Sequence, residues 1–268
     1  VLYKIEMIIP VFYIHSTNNS VIKKSCLKAA ENNEVILISD FVLDHQKIKN
    51  IDLDDYGSED CEKFSELYEH MSSNSEWIER FCFYRWFILL DYMKKNNLEV
   101  IFYCDSDMLL FCDVSKEYYN YKQFDMTLTH QTASISSFIS INALESFCEY
   151  VMKTYSNKEN IEYSYLNSKW DIHKKYNVGG GICDMTLLRN WSYQYIPNRI
   201  GEMMHIYDGK TWDHNINVSD GVYDHDGRIK KIKFIEGIPY CFNKKLNQDI
   251  KFNSLHFQGP AKNLINNF

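Results

Sequence analysis

The segment Val100-Ile-Phe-Tyr-Cys-Asp105-Ser-Asp107 decides how this chain is read. Five apolar residues in succession, β-branched and aromatic among them, have the pattern of a strand buried on both faces in the middle of a parallel sheet. In open α/β sheets ligands sit beyond the carboxyl ends of the strands, and Asp105 falls at that end. Two carboxylates on one turn, with the small Ser106 between them, can share a hard cation, which in turn bridges the oxygens of a diphosphate. Asp-x-Asp is a frequent accident in acidic chains, so its weight comes from its place after a buried strand.

Working outward, the same alternation of elements continues. Tyr3 to Phe12 reads as a first strand closed by Pro10, followed by a polar loop from Ser16 to Ser20 and a helix from about Val21 to Ala30. Glu34-Val-Ile-Leu-Ile-Ser-Asp40 is a second buried strand that ends on a carboxylate, which completes a βαβ unit and implies a parallel sheet. Residues 44 to 75 are polar and acidic and read as a surface excursion. Glu76 to Asn96 is the strongest helix, apolar nearly all round and therefore buried on several sides. Beyond Asp107, Met108 to Phe111 is a further apolar stretch, with a strand near Asp125 to Thr129 and a helix from Ala143 to Tyr155. The Gly-rich run Asn177-Val-Gly-Gly-Gly-Ile-Cys183 follows, and short strands near Lys230 to Ile235 and Phe252 to Phe257 make the second half more mixed than the first.

Composition narrows the class. With 268 residues, 45% of them hydrophobic, and only ten Gly and four Pro, the chain can bury a sizeable core and is neither disordered nor fibrous. A formal net charge of -7 leaves no global basic field to attract nucleic acid or an anionic membrane, so any phosphate must be met by local cations or a metal. Twenty Tyr and five Trp suit both a ring-filled core and a surface that stacks on sugars or bases. The eight Cys are scattered singly without CxxC spacing, which points to reduced, mostly buried thiols and away from zinc. No apolar run has the length of a membrane span, and Ile8-Ile9-Pro10-Val11 is too short for a signal peptide, so a cytoplasmic location is expected. The chain opens on Val1, which leaves a longer parent protein open.

Two further features carry chemistry. Arg85 shares a helix stripe with Ile78, Phe81, Cys82, Leu89 and Tyr92, so it points where apolar neighbours point and needs a partner: a core carboxylate, a ligand phosphate or the carboxylates of a metal site. Near the C-terminus stands His256-Phe-Gln-Gly259-Pro-Ala-Lys262. An imidazole is a good third ligand for Mn²⁺ among carboxylates, Gly259 lets backbone approach a phosphate, and Lys262 supplies a point charge to it.

Taken together, Asp105-Ser-Asp107 after its apolar strand, the Arg85 helix before it, Asn177-Val-Gly179, and His-x-x-Gly-x-x-Lys at 256 to 262 resemble the GT-A glycosyltransferases related to glycogenin and the bacterial lipopolysaccharide galactosyltransferases. The order and spacing span roughly residues 5 to 262. The resemblance implies a single α/β domain of GT-A type over 1–268, with a Rossmann-like, mostly parallel central sheet flanked by helices. About 1–130 would be its nucleotide-binding half, and about 131–268 a more mixed acceptor-side half with the C-terminal metal and phosphate motif. It implies Asp105, Asp107 and His256 as ligands of Mn²⁺ or Mg²⁺ and Lys262 as a contact to the donor diphosphate. Val11, Tyr13, Arg85, Ser106, Asn177, Gly179 and Gly259 complete the expected donor-binding set, and Asp213 and His214 stand where an acid and an amide flank the reacting sugar. The donor would be a nucleotide sugar, of UDP type by resemblance, and the acceptor a glycan or protein.

The chain departs from the family pattern at two points. His214 occupies the place of the usual Gln, and Asn263-Leu264 replaces the Trp that commonly follows the terminal Lys-Pro. The resemblance favours a retaining reaction. Two other readings fit paired Asp on an α/β sheet: a metal-dependent nucleotidyltransferase or phosphohydrolase, and a silent sugar-binding domain. The first would show a Gly-rich basic loop after the first strand, where this chain has Pro10-Val-Phe-Tyr-Ile-His15. For Asp213 the alternative is a helix cap over Asn215 and Ile216.

Overall fold

The computed structural model describes residues 7–130, 135–219 and 221–268. Among these, the elements in chain order are β1 (Val11–His15), α1 (Ser20–Ala30), β2 (Val35–Ser39), β3 (Ile48–Asp52), α2 (Ser58–Leu67), α3 (Glu76–Lys95), β4 (Val100–Cys104) and β5 (Met108–Leu110). There follow α4 (Val114–Glu117), β6 (Met126–Leu128), β7 (Ser136–Ser140), α5 (Ile141–Ser156), α6 (Ile161–Tyr176), α7 (Asp184–Gln194) and β8 (Ile200–Glu202). The remaining strands are β9 (Lys210–Thr211), β10 (His225–Asp226), β11 (Ile229–Lys230), β12 (Lys233–Ile235), β13 (Ile238–Asn243), β14 (Gln248–Phe252) and β15 (Ser254–His256). The elements gather into two compact units, one holding the chain up to Leu53, Ile101–Phe138 and Gly201–Phe268, the other Asp54–Val100 and Ile139–Ile200.

The first unit is built on the α/β sheet the sequence implies. Its seven strands run in the order β3-β2-β1-β4-β7-β6-β8, and the pairs β3–β2, β2–β1 and β1–β4 are parallel. Register places Val11 against Val35 and Phe102, so apolar side chains stack across the three inner strands. The connecting helix α1 begins where Asn19 accepts hydrogen bonds from the backbone N–H groups of Val21 and Ile22 at 2.9 and 3.2 Å, an N-cap that fixes its first turn.

Two expectations shift. The first strand was read as Tyr3 to Phe12, whose start lies outside the described residues, but β1 runs from Val11 to His15. Pro10 has no N–H to give a ladder and so precedes the strand; Met7 and Ile8 are 49% and 65% exposed, whereas Val11, Phe12 and Tyr13 are fully buried. The supposed surface excursion at 44 to 75 carries β3, whose Ile48 pairs with Val35, and α2. Each is anchored by a single buried apolar residue, Ile48 or Phe64, too few to show a period.

A second layer of the same unit decides the site. Strands β12-β13-β14-β9 form a smaller sheet, and β15 pairs antiparallel with β5, setting Ser254, Leu255 and His256 opposite Leu110, Leu109 and Met108. Leu109, Ile216, Ile250, Phe252, Leu255 and Phe257 close into one buried cluster that holds this return strand in place.

The second unit is helical. Its centre is Phe64, fully buried and ringed at 5.1 to 5.5 Å by Phe83, Tyr68, Phe87 and Tyr155. On α3, acidic Glu76 and Glu79 in the first turn and Lys94 and Lys95 in the last complement the helix dipole. Helices α6 and α7 flank the Gly-rich run, and Asn177 ends α6 in the left-handed conformation at φ 49°. Gly181 bridges to Ser72, and a Cβ there would lie 2.2 Å from the Met71 carbonyl oxygen. All eight cysteines are free thiols, five of them buried. Among the described residues no helix is long and apolar enough to cross a membrane.

The Gly181 contact is with backbone that cannot step aside. Gly181→Ala is expected to destabilise the protein by about 1–3 kcal/mol, whereas Gly179→Ala, whose Cβ would meet nothing within 4 Å, should cost little. Urea denaturation of the two variants measures the difference.

Candidate functional site

Strand β4 delivers its carboxyl end to the turn Asp105-Ser106-Asp107, and β5 begins at once. The antiparallel pairing of β5 with β15 then sets His256 beside that turn, with the Phe257 N–H donating to the Asp107 carbonyl at 3.0 Å. One ligand atom each from Asp105, Asp107 and His256 lies within 4.8 Å of the others, the one such metal-capable group among the described residues. The sequence-level trio is thus brought together.

Each member is held by a neighbour. The Tyr103 hydroxyl donates to Asp105 Oδ1 at 2.8 Å. His256 Nδ1 is hydrogen-bonded to the His214 carbonyl, which must accept, so Nδ1 carries a proton, and Nε2 faces Asp107 Oδ1 3.3 Å away. Lys262 reaches Asp107 Oδ2 at 3.2 Å from the C-terminal 3-10 turn that starts at Gly259, where φ is 59°. Asp107 is only 5% exposed and His256 2%.

The electrostatics follow from burial and pairing. Burial alone would raise the Asp107 carboxyl, but His256 and then Lys262 outweigh it and hold the group below its ordinary value. Burial alone would lower the His256 imidazole, and the Asp107 carboxylate outweighs that and raises it. At the end of β1, burial and then the Lys262 charge lower His15. Two carboxylates and an imidazole whose other nitrogen is tied to a carbonyl form a donor set that could hold a metal ion.

The Asp213 stretch lies against this cluster, and no helix follows it for Asp213 to cap. Asp213 is 1% exposed; its Oδ2 accepts the His256 backbone N–H at 3.0 Å and its Oδ1 faces Lys230 Nζ at 3.0 Å. His214 stacks on His130 with ring centroids 4.4 Å apart and planes within 12°. Burial, then His130 and His256, push the His214 imidazole down to about 4.

The other expected donor contacts are distributed over both units. Val11 and Tyr13 are fully buried in β1, and the Tyr13 hydroxyl lies 3.4 Å from the Ser25 carbonyl. Ser106 is partly buried at the turn and Gly259 is exposed. In the second unit, Arg85 pairs with Asp184, which also accepts the Trp86 indole N–H at 2.9 Å, so the core-carboxylate partner left open by the sequence is present. Asn177 and Gly179 are exposed in that unit. Sequence reasoning missed Tyr103, His130 and Lys230. Tyr103 was legible only as a strand residue, and no local pattern marks the other two.

No family model matches the chain, and comparison with curated proteins finds no match. Among solved structures, a glycosyltransferase involved in glycosylation of the major capsid of PBCV-1 is similar at 12% identity, covering 73% of this chain and 81% of that one, with a TM-score of 0.34. Mouse xyloside xylosyltransferase 1, in its apo form, is similar at 11% identity over 77% of this chain and 87% of that one, with a TM-score of 0.42. Both likenesses are distant, and neither assigns an activity or substrate to this chain.

The lowered His214 has a consequence in acid. Between its folded value near 4 and the ordinary value near 6.5, the unfolded chain binds more protons, so this residue makes stability rise with pH in that window and fall as pH drops through it. His214→Gln, which cannot titrate, is expected to lose less stability than wild type between those two pH values, as read from urea midpoints across the range.

Proposed function

We propose that this protein is a metal-dependent glycosyltransferase of GT-A type, akin to the glycogenin and lipopolysaccharide galactosyltransferase group, that passes a hexose from a UDP-sugar to a glycan or protein acceptor. The observation that carries the reading is the convergence of Asp105, Asp107 and His256 at the carboxyl end of β4, with Lys262 on the outer oxygen of Asp107. The sequence order of these residues supports the same reading.

In this reading Asp105, Asp107 and His256 hold Mn²⁺. A bound divalent ion supplies fixed positive charge to the diphosphate that departs when the bond from anomeric carbon to phosphate breaks. Lys262 adds to that charge: its side chain is 48% exposed, so it can leave Asp107 for a phosphate oxygen without crossing a dry interior. Gly259 keeps the backbone beside Lys262 open, since a Cβ there would meet nothing within 4 Å. Tyr103 and the His214 carbonyl orient the ligands and do not themselves meet the sugar. His214, pushed down to about 4, stays neutral near pH 7 on the side proposed for the reacting sugar, with the His130 ring stacked on it. Retention of anomeric configuration is the stereochemical course proposed, in keeping with the resemblance.

The test is cooperative ligand binding. Mn²⁺ and UDP together are expected to raise the melting temperature more than either alone, and Asp107→Asn should abolish the Mn²⁺-dependent part. Unchanged UDP affinity in that variant, measured by calorimetry with Mn²⁺ present, would sink the assignment. Because His256 is raised above its ordinary value near 6.5 and must be neutral to ligate, Mn²⁺ affinity should climb as pH rises past that value, with proton release detectable in buffers of different ionisation enthalpy. Lys262→Ala should leave Mn²⁺ binding nearly intact while weakening UDP binding and slowing transfer with donor and acceptor supplied.

A further inference from the structure

Beyond the β15–β5 pairing that sets it opposite Met108, His256 is held by one short stretch of chain. Its backbone N–H donates to Asp213 Oδ2 at 3.0 Å, its carbonyl accepts from the Ile216 N–H at 2.9 Å, and its ring nitrogen Nδ1 bonds the His214 carbonyl. The direction of Nε2 therefore depends on where residues 213 to 216 lie. That stretch has no helix or strand of its own, so its backbone must be placed from outside.

Lys230 does this. It stands at the end of β11, its backbone N–H donates to the Ile216 carbonyl at 2.8 Å, and its Nζ meets both the Asn215 carbonyl and Asp213 Oδ1. The pair is dry, with side-chain exposures of 4% for Lys230 and 0% for Asp213. A dehydrated carboxylate facing an ammonium gives a rigid strut, because either partner alone would be an uncompensated buried charge. The geometry points to Lys230 as a positioning residue that acts through Asp213 and the 213–216 stretch to aim His256 Nε2 at the two carboxylates, and so sets the protein's affinity for its divalent cation. This rests on the metal-site reading above, but it assigns the strength of that site to a residue that touches no ligand.

The probe is Mn²⁺ alone, titrated into the full chain and followed by calorimetry or by the paramagnetic resonance of the free ion, at a temperature where each variant is folded. Lys230→Met is expected to weaken Mn²⁺ binding about tenfold or more, the scale on which residues behind a metal ligand act. Lys230→Arg should recover part of that loss, and Lys231→Met, at the exposed neighbouring position, none should be lost. Because Lys230→Met strands the Asp213 charge and can fail to fold, the double variant Asp213→Asn with Lys230→Met removes both charges. It should fold and still bind Mn²⁺ about tenfold more weakly. Wild-type affinity in a folded Lys230→Met or in the double variant, with Asp107→Asn deficient in the same assay, overturns the role of Lys230 and leaves the metal site standing. If Asp107→Asn itself binds Mn²⁺ as wild type does, the metal-site reading fails and this inference falls with it.

Discussion

The pairing of β15 with β5 is the constraint on which the candidate site depends. Asp107 sits at 5% exposure, where an ionised carboxylate without compensation would cost several kcal/mol or give up its charge. Nothing in its own strand and turn supplies a cation. The return of the chain's end does, because three residues of β15 align His256 with Met108 and the 3-10 turn then lands Lys262 on the other carboxylate oxygen. A packed apolar cluster, from Leu109 to Phe257, holds that return strand, so the hydrophobic core and the polar site stand or fall together.

The central sheet has the complementary task of deciding where the turn lies. Parallel pairing of β2, β1 and β4 forces their carboxyl ends to one edge, and β4, with β1 on one side and β7 on the other, cannot slip register without moving a fully apolar strand out of the core. The pair Phe102–Trp212, with ring centroids 5.1 Å apart, ties the same strand to the residue just before Asp213. The acids on the turn and the stretch that orients His256 are thereby referenced to one rigid element.

What the sequence disclosed follows the same physics. The run from Val100 to Cys104 is unambiguous because a strand buried on both faces must be apolar throughout, and the acids after it inherit a position from the topology rule for open sheets. The His256 to Lys262 motif was visible as residues but acquired neighbours only through β15, a pairing between distant segments that no local period encodes. Tyr103 and Lys230 were illegible for the same reason. On α6, Tyr163 and Leu166 are buried while Ile161, Ile172 and Tyr176 are 79%, 55% and 64% exposed, so apolar residues occupy more than one face and no clean period marks the helix. The edge strand β3 has the opposite difficulty, because a strand with one buried side chain looks like a loop.

Two acid–lysine pairs within the first unit show how burial separates placing from exchanging. Lys230 and Asp213 are at 4% and 0% side-chain exposure, and the ammonium is also bound to the Asn215 carbonyl. Removing it would leave a dehydrated carboxylate, so the pair has one stable arrangement and suits holding backbone in place. Lys262 and Asp107 are at 48% and 7%, and here the lysine is largely in water. Its attraction to Asp107 is screened and its release exposes no dry charge on the lysine side, so another anion can compete for it at small cost. A second cation on Asp107 would favour that release, since the carboxylate would then be neutralised without the lysine. The same two residue types thus do different work according to how much solvent reaches the nitrogen: one pair fixes the ligand stretch, and the other leaves a positive charge free to move beside it.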